Sequence, residues 1–187
     1  MHIAVLTASD APPYRALMLH AYEHAADAFT STAAERAAEP MAWWNHRIAN
    51  PAGTTIGFGA FEQQELVGTV ALEFSSKPKT KHKALVVSMF VREPWRGKGV
   101  ARALLAAAIG HCKSRGDIDV LQLDVTFGNE HATHLYKSLG FEPFGLEPMA
   151  ILTPGGFRSK LHMWLHLAKA ATAESHENHP PSAPDHA

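Results

Sequence analysis

The run Arg96, Gly97, Lys98, Gly99, Val100, Ala101 holds the residue types that grip an anion. Two glycines without Cβ atoms let successive backbone N–H groups turn toward one point. A helix beginning at Val100 would add its unpaired first-turn N–H donors and the positive end of its dipole. Arg96 and Lys98 supply countercharge, and Arg102 falls in the same first turn. The ligand such a turn suits is a diphosphate. Two common phosphate loops are excluded by spacing: a Walker loop ends in GKS or GKT, and here Gly99 is followed by Val100 and Ala101. In a dinucleotide fingerprint begun at Gly97 and Gly99 the third glycine would fall at Arg102. What remains is R-x-x-G-x-A.

A second segment, 129–141, reads NEHATHLYKSLGF. On a helix Asn129, Ala132 and Tyr136 stand at i, i+3 and i+7 and share one face. They offer an amide, a gap and a phenol, while Leu135 and Leu139 point elsewhere and pack with Phe141. Tyr136 is equally readable as a core aromatic with a satisfied hydroxyl. Two carboxylates are candidates for a general base. Glu73 ends a strand on its less apolar face, and Asp124 shares a strand face with Gln122. Either also fits as a solvated surface acid. Among thirteen histidines, the pairs His131 and His134, and His162 and His166, lack a third ligand, so no metal site is expected.

The elements that must position these residues follow from periodicity. Residues 3–6 suggest a strand; Asp10 then reads as an N-cap, with Pro12 and Pro13 opening a helix that carries Leu17, Met18, Ala21 and Tyr22. Thr32 and Glu35 have capping-box spacing, Pro40 interrupts, and Met41, Trp43, Trp44 and Ile48 continue helically. Residues 54–61 and 66–74 read as a hairpin across Glu62, Gln63, Gln64 and Glu65. In its second strand Leu66, Val70, Leu72 and Phe74 are expected on one face, and Val67, Thr69, Ala71 and Glu73 on the other. A basic loop, 77–83, precedes the apolar run 84–91, read as a central strand buried on both faces. Val100, Leu104, Leu105, Ala108, Ile109 and Cys112 then form one helical stripe, ended by Gly116. Strands are expected at 120–125, 141–144 and 161–167, the last two joined through a turn at Pro154, Gly155 and Gly156.

At 187 residues with 46% hydrophobic content, one domain over 1–168 is expected, followed by a polar tail at 169–187 read as disordered. A net charge of −1 argues against a nucleic-acid footprint, and the 77–83 loop is better read as a solvated connection. No stretch has the length of a membrane span, and the first residues read as a strand rather than a signal peptide, so a cytoplasmic location is expected. The lone Cys112 reads as a small buried hydrophobe.

The two motifs together resemble the GNAT superfamily of acetyl-CoA-dependent N-acetyltransferases. Its diphosphate motif is Q/R-x-x-G-x-G/A, and its second signature is N-x-x-A-x-x-L-Y-x-x-x-G-F. Every fixed position of both is filled here. The resemblance implies an α/β (α+β) fold with a mixed, mostly antiparallel sheet splayed between strands 4 and 5. It implies acetyl-CoA as cosubstrate, with no metal. The diphosphate would lie on Arg96, Gly97, Lys98, Gly99, Val100, Ala101 and Arg102. The pantetheine would pass Asn129 and Ala132, and the thioester carbonyl would meet backbone N–H groups at Met89, Phe90 and Val91. Tyr136 would hydrogen-bond the departing sulfur while a primary amine of a small molecule or peptide attacks directly, with Glu73 as candidate base. A free phenol titrates near ~10 and a thiol near ~8.5, so stabilising the developing thiolate matters at least as much as protonating it. The acceptor would enter past Trp43, Trp44, His20 and His24. The reading is compatible with a homodimer and leaves the acceptor open. The alternative is a CoA-binding sensor that keeps the fold without turnover.

Overall fold

In the computed structural model, which describes residues 1–167, β1 (His2–Val5) leads through a short 3-10 turn (Ala8–Asp10) into α1 (Ala11–His24). The tail read at 169–187 lies outside the described residues. Two short helices follow, α2 (Ala33–Ala37) and α3 (Met41–Ile48), then the hairpin β2 (Thr55–Glu62) and β3 (Glu65–Phe74). Next come β4 (Lys83–Val91), α4 (Val100–Arg115), β5 (Val120–Thr126), α5 (Glu130–Ser138), β6 (Glu142–Thr153) and β7 (Gly156–His166). The sheet order is β1-β2-β3-β4-β5-β7-β6. All neighbours are antiparallel except β4 and β5, whose parallel pairing requires the long crossover through α4.

That parallel seam is short. It pairs Lys83 with Val120, Ala84 with Leu121 and Leu85 with Gln122, while β4 runs on to Val91 and β5 to Thr126. The strands therefore part beyond Leu85. Helices cover the sheet on both sides. α4 buries Val100, Leu104, Leu105, Ala108 and Cys112 against Val70, Leu72 and Leu121, with Ile109 at the margin. Across the sheet, α1 and α3 bury Tyr14, Leu17, Met18, Trp44 and Ile48 around Leu66 and Phe90. Each fully buried leucine or isoleucine contributes about 1.5–3 kcal/mol, so these stripes suffice to seat the helices.

Local signals explain most boundaries. Thr32 Oγ1 accepts the Glu35 N–H at 3.2 Å while Glu35 accepts the Thr32 N–H at 2.7 Å, the reciprocal box the spacing predicts. Asp10 differs from expectation. Its carboxylate turns back to the Thr7 N–H (2.8 Å) and makes no cap bond to α1, because the 3-10 turn occupies the place where the helix would begin.

Three strand expectations are corrected. Leu66 lies in the α1 and α3 core and Val67 in the α4 core, because the β2–β3 register shifts at Ala60 and Phe61 and one extra residue flips the faces. β4 is not buried on both faces throughout: Ala84 is buried under α4, but Leu85 on the opposite face of the seam is 36% exposed. The final hairpin is longer than expected, 12 and 11 residues. β6 runs on past the expected 141–144 through Gly145 and Pro148, because an edge strand needs no ladder donors on its outer side and takes up the misfits as register shifts.

Candidate active site

At the start of α4, Gly97 and Gly99 have φ of 73° and 81°, and Gly99 caps the helix by accepting the Ala103 N–H at 3.0 Å. A side chain at either glycine would meet nothing within 4 Å, so glycine is required by the backbone angle, and the space in front of the turn is open. The N–H groups of residues 97–102 make no backbone hydrogen bond of ordinary geometry among the described residues. An open row of donors at a helix N-terminus fits an anionic phosphate group.

The cations of the turn are held by neighbours. Arg96 Nε donates to the Val91 carbonyl at 3.0 Å, and its Nη2 to Glu93 at 2.9 Å, with the guanidinium 5.4 Å from the Phe90 ring centre. Glu93 also meets His20 Nε2 at 3.0 Å. The hydrogen bond from His20, with Arg96 beside it, pulls the Glu93 carboxyl down to about 2. Lys98 Nζ lies 4.7 Å from the Trp95 ring centre, and Arg102 reaches across to Ser138 Oγ of α5 at 2.7 Å.

The edge of β4 faces the gap. Arg92 donates its N–H to Val67 of β3 at 2.9 Å; across a trans peptide the Val91 carbonyl must point the opposite way, toward the side β5 has left. Arg96 therefore sits at the mouth of the opening. Val91 belongs to the core under α4, Met89 packs against that core, and Phe90 lies in the core under α1, so the backbone of this stretch lines the gap between two packed layers.

α5 is positioned by its own cap. Asn129 Oδ1 accepts the Ala132 N–H at 3.2 Å, which leaves the side-chain NH₂ as a donor. Tyr136 is 7% exposed, its ring edge-on to Phe141 at 6.0 Å, and burial pushes its phenol up to about 12. Its hydroxyl makes no hydrogen bond among the described residues and is not one of the buried unpartnered polar atoms, so the ring packs in the core while the oxygen reaches the surface, where a ligand atom can meet it.

The opposite face of the sheet holds Glu73. Arg47 of α3 pairs with its Oε1 and sends Nη2 to Ser88 Oγ at 3.2 Å. Ser88 has φ +54°, and between the pairs Thr69↔Phe90 and Ala71↔Val87 β4 contains one residue more than β3. A non-glycine residue in this region costs about 1–3 kcal/mol. Fully buried Tyr14 borders the same group; burial raises its phenol, against the opposing pull of Arg47 and a hydrogen bond with Ser88. A shallow pocket lined by Glu73, Ser75, Thr80, Lys83, Leu85 and Gln122 opens beside them.

The glycine turn and the 89–91 stretch thus share one end of the opening, while Tyr136 and Glu73 lie on different faces of the sheet. Asp124, on β5 two residues past the last seam pair, is already engaged: Lys160 Nζ lies at 3.3 Å and His162 Nδ1 at 3.1 Å, and His162 Nε2 meets Glu147 at 3.0 Å. Trp44 is wholly buried and so is a core residue, whereas Trp43 lies 4.5 Å from the Arg36 guanidinium. His20 and His24 stack at 4.0 Å. Arg47, Ser88 and Tyr14 carry no motif. Only the helical register of α3, which puts Arg47 three and four residues after Trp44 and Trp43, hinted at a shared location.

Comparison with known proteins decides what this arrangement is. The family model described as "Acetyltransferase (GNAT) family" matches residues 18–141. The chain belongs to the GNAT acetyltransferase family. It is an acyltransferase of a family that draws on acetyl-CoA. An L-amino acid N-acetyltransferase of Escherichia coli K12 is 27% identical over 120 residues, 64% of this chain and 73% of that protein. An Arabidopsis thaliana protein named N-alpha-acetyltransferase is 27% identical over 122 residues, 65% of this chain and 63% of that protein. Among solved structures, a ribosomal-protein-alanine N-acetyltransferase from Brucella melitensis superposes with TM-score 0.74 at 24% identity, covering 89% of this chain and 100% of its own. A Salmonella typhimurium acetyltransferase solved with acetyl-CoA gives TM-score 0.76 at 21% identity, covering 94% and 98%. The last two share the GNAT fold.

Proposed function

We propose that this GNAT protein transfers the acetyl group of acetyl-CoA directly to a primary amine within a ternary complex. The observation that carries the reading is the opening beyond Leu85, with N–H donors of residues 97–102 that make no backbone hydrogen bond among the described residues at one end. Acetyl-CoA supplies an activated thioester acyl group. Residues 97–102 hold its diphosphate, with Arg96 and Lys98 giving up their present partners to add charge. Asn129 offers its NH₂ to the pantetheine, Ala132 leaves room for it, and of the 89–91 stretch the Val91 N–H, on the gap side of the strand, receives the carbonyl oxygen as charge develops there.

The amine approaches from the α1 and α3 face. Glu73 presents the carboxylate oxygen that Arg47 leaves free; it anchors the incoming ammonium and passes its proton to water before attack. Tyr136 then donates a hydrogen bond to the departing sulfur. With the phenol at about 12 and an ordinary thiol near ~8.5, complete proton transfer is strongly uphill, so Tyr136 acts by stabilising the developing thiolate. The named activities of the relatives share an α-amino acceptor, which makes amino acids and peptide N-termini the first acceptors to test.

The test is release of free thiol from acetyl-CoA over a panel of amino acids, short peptides, polyamines and aminoglycosides, beside Tyr136→Phe and Arg96→Ala. Turnover on an amine, reduced in the first variant and with raised acetyl-CoA KM in the second, supports the reading. Acetyl-CoA binding without release on any amine would leave a sensor instead.

A further inference from the structure

Ser88 lies in the left-handed region at φ +54°, yet serine has no preference for it; glycine, asparagine and aspartate are the residues that visit it readily. Something outside the local sequence must hold it there. The extra residue of β4 is left out of the β3 ladder, so the ladder itself cannot do so. Side chains from two helices can. Arg47 Nη2 donates to Ser88 Oγ at 3.2 Å, and Tyr14, fully buried in α1, borders the same serine. With its other terminal nitrogen Arg47 pairs with Glu73 of β3. The guanidinium is itself fixed from outside, lying 5.4 Å from the Trp43 ring centre.

We infer that Arg47 is a positioning residue that sets the β4 bulge and the Glu73 carboxylate in fixed relation to each other. The inference rests on the reading that the thioester carbonyl meets the backbone just after Ser88 and that Glu73 faces the amine. One planar guanidinium bonded to both sides then fixes the distance between the carbonyl-binding backbone and the amine-binding carboxylate. A point charge on a flexible stem would not do this, because it lacks the fork that sets two partners at a fixed angle. Nearness of the two reactants is worth little unless their orientation is also held, which gives the contact a role in turnover beyond stability.

The experiment is a two-residue cycle. Arg47→Met keeps an apolar stem against Trp43 and removes both polar contacts. It is expected to lower kcat by at least about 30-fold while leaving the acetyl-CoA KM within about twofold, since the residue touches no part of the turn at 96–102. Ser88→Gly in the Arg47→Met background should restore kcat by about fivefold or more, because glycine holds the bulge without a clamp. Glu73→Ala in that background should abolish the restored activity. Thermal melts of all variants check that each is folded. Wild-type protein that acetylates no amine would sink the functional reading. An active wild type with Arg47→Met within twofold of it, or no recovery on adding Ser88→Gly to a folded Arg47→Met protein, would overturn the inference alone.

Discussion

A phenol held at about 12 stays protonated at every pH at which an ordinary enzyme assay runs, so Tyr136 enters each turnover as a hydrogen-bond donor. Its removal should therefore change the height of the pH profile and leave its shape intact. Tyr136→Phe is expected to lower kcat by roughly 10²-fold, with acetyl-CoA KM little altered and the limbs of log kcat against pH unmoved between pH 6 and 10. A shifted alkaline limb would show that the phenol itself titrates in the reaction. Cys112 is the opposite case of a buried polarisable group. It is fully buried in the α4 core, and burial pushes its thiol up to about 12, so neither the thiolate nor access is available. Iodoacetamide at pH 8 should leave folded protein unlabelled and modify one site once urea has unfolded it. Its place in the stripe with Leu104, Leu105 and Ala108 was legible from helical spacing alone. Arg47 was not, since its partners lie 26 and 41 residues away and no spacing rule connects them.

The element that most depends on one residue type is the turn into α4. Because a Cβ at Gly99 would clash with nothing, Gly99→Ala isolates the backbone angle from steric crowding. Holding alanine at φ 81° costs about 1–2 kcal/mol, and the chain will partly relax by rotating the N–H row away from its common focus. Urea titration should show a loss of that size, and acetyl-CoA KM should rise at least about tenfold with kcat largely kept. A loss of stability with unchanged KM would separate the turn from the cofactor. This turn could be read in the sequence because glycine at positive φ has few substitutes. The bulges could not be. One inserts Val67 opposite the β2 hairpin strand, another uses serine, and neither residue announces an irregular ladder. The continuation of β6 beyond residue 144 was hidden for a related reason: Gly145 and Pro148 argue against a central strand and are harmless on an edge.

At the scale of the molecule, strands β1 to β4 and strands β5 to β7 are two hydrogen-bonded panels, joined among the described residues by the short seam at Lys83, Ala84 and Leu85 and by the His82 carbonyl just before it, which accepts the Asp119 and Val120 N–H groups. Within the panels β2–β3, β3–β4 and β6–β7 join consecutive strands, while β1–β2 and β5–β7 are long-range antiparallel pairs; the shared seam joins strands brought together across the α4 crossover. No described helix is long and apolar enough to cross a membrane, and both helical layers serve to cover the panels. The clearest sign of this division should appear in amide hydrogen exchange. The Arg92 amide, bonded to Val67, should exchange slowly, while β4 amides that point across the gap should exchange fast although their side chains are buried. Adding acetyl-CoA should slow that second set and leave the seam amides at residues 83–85 as they were. The short seam thus gives the protein a built-in isotopic reporter, in which every other residue along one half of a single strand records whether the gap beside it is filled.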